Sequence, residues 1–297
     1  MEFDIFAGIL RMNDGFARST LGERRFTYDL LNQKWSLLKN RYSLDVIAGN
    51  GDDFAKAANL LHWLSVNTVH KGDYDNRVPE NALDLLNYTF GQALGRGVNC
   101  RALSIILTEC CLAIGLPART VSILPASPYD GDNHVVTIAY VRYPGKWVML
   151  DPTWNAFCLD EAGRVLNPWE IRSLLAERGT FRMNPEAQYN DHKDSMPETV
   201  NEYRTYLAKD LFYLHCPLDS TCDPDRKSPP VFLAPDGFDV HRHRLLNIEY
   251  RINCWGPHPL LQKWLEDARQ DDNPVFYASL EEFSASPYPE ESHGKLR

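Results

Sequence analysis

The chain has 297 residues, 44% hydrophobic and 24% charged, with a net charge of −9. That is the composition of a folded globular protein, and its negative field opposes binding to nucleic acid or to anionic membrane surfaces. Met1 to Leu10 lacks the basic-then-apolar order of a signal peptide, and no apolar run is long enough to span a bilayer, so the expected location is the cytoplasm.

From the N-terminus, Thr27 to Arg41 places Leu30, Leu31, Trp35 and Leu38 at helical spacing and predicts a helix. Asp52 to Val69 predicts a second, with Phe54, Ala57, Ala58, Leu61, Trp63 and Leu64 as its apolar face. Pro79 introduces a short helix from Glu80 to Tyr88. Gly91, Gly95 and Gly97 break the pattern and predict a loop around Gln92 to Val98. Cys100 to Ile114 returns to helical spacing through Leu103, Ile106, Leu107 and Cys110, and Gly115 with Pro117 ends it.

The period then changes to two. Arg119–Leu124, His134–Val141 and Lys146–Asp151 read as strands, the last two joined by a turn at Tyr143-Pro144-Gly145-Lys146. Asn167 to Arg178 predicts a helix opened by Pro168. The polar stretch from Gly179 to Ser195 is a candidate boundary, and Asp219 to Pro230 a second loop. Phe232, Phe238, Leu245, Ile248, Tyr250 and Ile252 suggest strands, and residues after Ser284 are expected to fray.

Seven cysteines, an odd number without a secretion signal, are expected to be free thiols. Cys100 falls where a loop meets a helix. The unpaired N–H groups and partial positive charge of a first turn favour the thiolate, the nucleophilic form. Asn99 would cap that helix. His134 opens one hairpin strand and Asp151 closes the other, so both sit at one open end. An Asp bonded to one imidazole nitrogen leaves the other free to take a thiol proton. Each residue alone also fits a structural role: Cys100 as a small helix-start residue, His134 and Asp151 as unrelated strand ends.

The quoted segments decide between these readings. Gly97-Val98-Asn99-Cys100-Arg101, Gly115-Leu116-Pro117-Ala118-Arg119, Asn133-His134-Val135-Val136 and Trp147-Val148-Met149-Leu150-Asp151-Pro152-Thr153 resemble, in that order, the core of transglutaminase-like proteins. The resemblance covers about residues 55 to 155. It implies a fold like that of papain-type cysteine proteases and carries the catalytic roles onto Cys100, His134 and Asp151. Val135 and Val136 depart from the aromatic residue that often follows the family's histidine.

The expected fold is therefore α+β: a catalytic helix packed on an antiparallel sheet, with a helical extension over 1–50, the core over 51–180 and an elaboration of unknown role over 181–297. The expected chemistry is acyl transfer from an amide or peptide carbonyl through a thioester, resolved by water in a peptidase or amidase, or by an amine in a transglutaminase. A non-catalytic scaffold with the same fold is the alternative of another class. Oxyanion donors are the Cys100 main-chain N–H, with Gln92 and Asn99 as further candidates. Trp154 and Arg119 are candidates for lining the site. Cys110 and Cys111 read as packing residues. No metal or cofactor is expected, since the remaining Cys and His residues match no common ligand spacing. The expected partner is a peptide, protein or small amide substrate.

Overall fold

The computed structural model describes residues 1–90, 96–190, 196–222, 228–269 and 275–288. Its centre is a six-stranded sheet in the order Phe276–Tyr277, Pro230–Leu233, Tyr213–Pro217, Ala118–Leu124, His134–Val141, Lys146–Leu150. The five longer strands pair antiparallel, and the two-residue edge strand Phe276–Tyr277 adds in parallel, so the sheet is mixed rather than purely antiparallel. The fold is α+β.

Every residue of His134–Val141 is buried, because the sheet is covered on both faces. One face, through Ala118, Ala139, Val141, Val148 and Leu150, packs under the helix Cys100–Ala113 and the helices before it. The other, through Val121, Ile123, Val136, Ile138 and Met149, packs against Ile171 and Leu175 of helix Pro168–Ala176 and Tyr203 and Leu207 of helix Met196–Asp210. Residues beyond 180 thus supply strands and helices to the same sheet.

The Cys100 helix begins where the capping residue dictates. Asn99 is extended, at φ −77° and ψ 172°, and its side chain accepts from the Ala102 N–H. The helix ends at Gly115, whose φ of +84° suits a residue without Cβ. A polar seam fixes it on the sheet. Ser104 Oγ donates to the Val135 carbonyl at 2.7 Å, Thr137 Oγ1 donates to the Ser104 carbonyl at 3.0 Å, and Thr108 and Thr137 share a bond at 3.2 Å. Buried hydrogen bonds of this kind contribute about 1 kcal/mol each, and these set the height of Cys100 beside the His134 strand.

The structure changes the sequence reading in several places. Thr27–Tyr28 is a short strand paired with Asp219–Ser220, and the helix starts only at Gln33, after the Asn32 cap. Leu31 is consequently exposed, while Trp35 and Leu38 are buried. The third helix spans Ala82–Phe90. Leu245, Ile248, Tyr250 and Ile252 lie on a helix, Val240–Trp255, opened by an Asp239 side-chain cap, and not on strands. Past Ser284, Ala285 accepts from Trp147 Nε1 at 3.0 Å and Tyr288 packs on Tyr140. Among the described residues, no helix is long and apolar enough to cross a membrane.

Candidate active site

His134 and Asp151 share strand parity, so both project from one face at the open end of the hairpin. His134 Nε2 lies 2.6 Å from Asp151 Oδ2, and both residues are buried. With Nε2 taken, Nδ1 is the nitrogen left for the thiol, and the His134 ring lies close enough to Cys100 to favour its thiolate. The three residues singled out from the sequence thus meet as a chain of contacts: thiol, imidazole, carboxyl.

Asp151 is held on every side. Oδ2 also accepts from the Tyr203 hydroxyl at 2.7 Å, and Oδ1 accepts from the Thr153 N–H at 2.9 Å and, more weakly, the Trp154 N–H at 3.4 Å. Asp151 and Ala156 exchange main-chain hydrogen bonds that close the turn around it. Four donors on one buried carboxyl satisfy an ionised acceptor.

The electrostatics follow from these contacts. Burial alone pushes the Cys100 thiol up. Hydrogen bonds and charge from His134 and then His70 outweigh it and bring the thiol from 9.0 down to about 6. Burial disfavours the His134 imidazolium, but the Asp151 charge and hydrogen bond, with the bond to Cys100, lift it well above 6.5. The pair therefore favours thiolate beside imidazolium at neutral pH. Cys110 and Cys111 are buried and their thiols are pushed up, Cys111 to about 12.

His70 was not singled out in the sequence. It follows the helix Asp53–Asn67 and bridges to Val98, just before the Cys100 helix. Its ring lies close enough to Cys100 to lower the thiol's pKa, and its Nδ1 lies 2.8 Å from the Tyr189 hydroxyl. Asn190 clamps the His70 main chain at both N–H and carbonyl. Nothing in residues 69–71 sets this histidine apart, since its role depends on partners 119 and 120 residues later. Tyr203 and Tyr206 were missed for the same reason. Tyr206 packs its ring 5.3 Å from that of His134.

A cavity of about 1500 Å³ opens over Cys100 and His134. Trp154 lines it, packed against Tyr189 at 5.3 Å and Tyr203 at 5.1 Å. Asn99 also lines it, with its amide engaged by the Ala102 N–H and by Asn76 at 3.1 Å. Gln92 lies outside the described residues. Arg119 does not line the cavity. It is buried on the strand beside that of His134, donates to the Tyr28 hydroxyl and the Phe283 carbonyl, and stacks between Phe26 and Trp147. Its place in the strand, preceded by Ala118 on the helix-facing side, points it to the opposite face from the Cys100 helix. Among the described residues, no three His, Cys, Asp or Glu side chains gather as metal ligands.

Residues 40–152 match the family described as the transglutaminase-like superfamily, a span that begins earlier than the resemblance read from the motifs. A candidate cysteine protease from Cytophaga hutchinsonii, a solved structure, is similar at 17% identity over 42% of this chain, with a TM-score of 0.32. The match spans about 40% of that protein's length. Comparison with curated proteins gave no match. The matched segment holds His70, Cys100, His134 and Asp151, whereas Tyr189, Tyr203 and Tyr206 come from later in the chain.

Proposed function

We propose that the protein is a cysteine-dependent hydrolase of amide or peptide bonds, working through a thioester. The observation that supports this most directly is the order of groups: Cys100 beside His134, and His134 Nε2 bonded to a carboxyl already satisfied by Tyr203 and two main-chain N–H groups. Purely structural packing does not require a thiol with a lowered pKa at the floor of a cavity.

In this reading the Cys100 thiolate adds to the carbonyl carbon, and the negative charge moves to the carbonyl oxygen. The Cys100 main-chain N–H, in a helix first turn, donates to that oxygen. His70 supplies the second donor: with Nδ1 facing the Tyr189 hydroxyl, its Nε2–H faces the sulfur and the adjacent oxyanion. The His134 imidazolium gives its proton to the departing amine as the C–N bond breaks, leaving the thioester. His134, now neutral, takes a proton from water, which adds to the thioester. Collapse releases the carboxylic acid and returns the thiolate and imidazolium. An amine in place of water would give a new amide, the transglutaminase outcome.

The test is mass spectrometry of peptide libraries incubated with the protein, with and without an added primary amine. Hydrolysis predicts products gaining the mass of water, absent with Cys100→Ser. Amine incorporation in preference to hydrolysis would replace this reading with the transfer reaction. Products that persist undiminished in Cys100→Ser would end the nucleophile assignment.

A further inference from the structure

The cavity over Cys100 is larger than the roughly 300–1000 Å³ of an ordinary small-molecule site, and much of its far wall is the helix Val240–Trp255. Arg244, Asn247, Ile248, Arg251 and Trp255 of that helix all line it. Spacings of three, four and seven residues place these side chains on one helical face.

The helix is tied to the loop that carries His134. Asn247 Nδ2 donates to the Pro128 carbonyl at 3.0 Å and the Asp130 carbonyl at 2.8 Å. Trp255 packs so closely on Gly131 that a Cβ there would come within 2.7 Å of its ring. The arginines are thereby set at fixed positions relative to the catalytic pair.

Arg244 and Arg251 differ from the other guanidinium groups of the wall. Arg101, on the opposite side, is paired with Glu80 at 2.7 Å. Arg244 stacks over Phe232 at 5.5 Å and Arg251 over Trp255 at 5.4 Å. Among the described residues neither makes an ion pair, and Arg251 Nε is buried without a hydrogen-bond partner. Asp267 bears on Arg244 at a distance, and Asp130 and Asp132 on Arg251, but those two acids are engaged by Lys209. Burial holds both guanidinium pKa values below their ordinary level. Arg251 is close enough to Cys100 for their charges to interact.

A desolvated guanidinium without a partner is costly, and a carboxylate with fork geometry offsets that cost through paired charge-assisted hydrogen bonds. We infer that Arg244 and Arg251 form a recognition wall for carboxylate groups on the amide substrate, so that the substrate class is an acidic polypeptide segment. This rests on the hydrolase reading for what happens after binding, but not for the binding itself. Seven helical residues span about 10 Å, and an extended peptide covers that in about three residues. A second carboxylate about three positions from the first would therefore meet the second arginine.

The test uses bromoacetyl-capped, C-terminally amidated tetrapeptides in which a single Glu is scanned through Gly and Ala positions, with Gln twins. Alkylation of Cys100 is followed by peptide mapping. At low salt the best Glu peptide is expected to react about tenfold faster than its Gln twin. The ratio should shrink as salt rises, and should fall toward one in Arg244→Gln or Arg251→Gln while Arg→Lys keeps part of it. A Gln peptide with a free C-terminus separates recognition of a side-chain carboxylate from that of a chain end. A Glu-to-Gln ratio near one in the unaltered protein, or one unchanged in both Gln variants, overturns the inference. If a Gln variant fails to fold, the ratio in the unaltered protein and its salt dependence still decide. Strong Glu preference without any peptide turnover would refute the hydrolase reading and uphold this one; turnover without that preference would do the reverse.

Discussion

Asp151 and Asp210 are both sealed from solvent and both feel the charge of His134, yet they are held in opposite ways. Asp151 accepts four hydrogen bonds, one of them from the histidine. Among the described residues, Asp210 accepts none, and only Lys209 pairs with it, at 3.4 Å. Burial lifts the Asp210 carboxyl well above 3.8, and the partial offset from Lys209 does not undo this. The same helix, Met196–Asp210, carries the Tyr203 that satisfies one acid and the unsatisfied other acid two turns on. Depth of burial therefore does not decide what a carboxyl can do for a neighbouring imidazole; the donors around it do.

The largest expected effect tests that contrast directly. Asp151→Asn should lower kcat on the order of 10³-fold, because it frees His134 to take the wrong tautomer, whereas Asp210→Asn should leave kcat within about threefold. Steady-state rates on any peptide found as a substrate measure both, and equal losses would break the comparison. Next in size is the thiol itself. Alkylation of Cys100 should reach half its plateau near pH 6, with the rate rising as pH increases, and in His134→Ala the midpoint should move up toward 9.0. An unchanged midpoint would mean that the imidazole does not set the thiolate.

Smaller is Tyr203→Phe. It removes one hydrogen bond to a charged acceptor and should cost about 1.5–3 kcal/mol of stability with only a few-fold loss of kcat, seen as a lower Tm in urea or heat. The smallest effect concerns pH. Because the folded pKa of Asp210 is raised, the folded chain holds its proton more tightly than the unfolded one. Its contribution is favourable below the unfolded value and is lost as pH rises through the folded one. Asp210→Asn should flatten that part of the stability–pH curve and raise stability at neutral pH by on the order of 1 kcal/mol. A steeper curve in the variant would contradict the assignment.

The Cys100 helix and the hairpin were legible because their signals are local. Asn99 caps, Gly115 stops, and the period of two runs unbroken from His134 to Val141. Those elements bring Cys100, His134 and Asp151 into view, and the resemblance of the segments around them to transglutaminase-like proteins singled them out. His70, Tyr189 and Tyr203 were not legible, since each acts through a partner more than 50 residues away. The helix Val240–Trp255 was misread because its faces are both mixed: only Val240, His243 and Ile248 are buried, so no clean apolar stripe marks the helical period. Arg119 was misplaced because its aromatic surroundings come from both ends of the sequence, Phe26 and Phe283.

That last arrangement bears on the order in which the molecule is made. Arg119 and Trp147 sit in the strands that flank and follow His134, and their side chains donate to the carbonyls of Phe283 and Ala285. A ribosome releases Cys100, His134 and Asp151 long before it reaches those two acceptors. Throughout that interval the guanidinium and the indole N–H on the far side of the sheet must find water instead. Cys100 can then be synthesised well ahead of the contacts that lock its sheet, so the nascent chain passes through a stage in which Cys100, His134 and Asp151 exist but their scaffold is not yet closed.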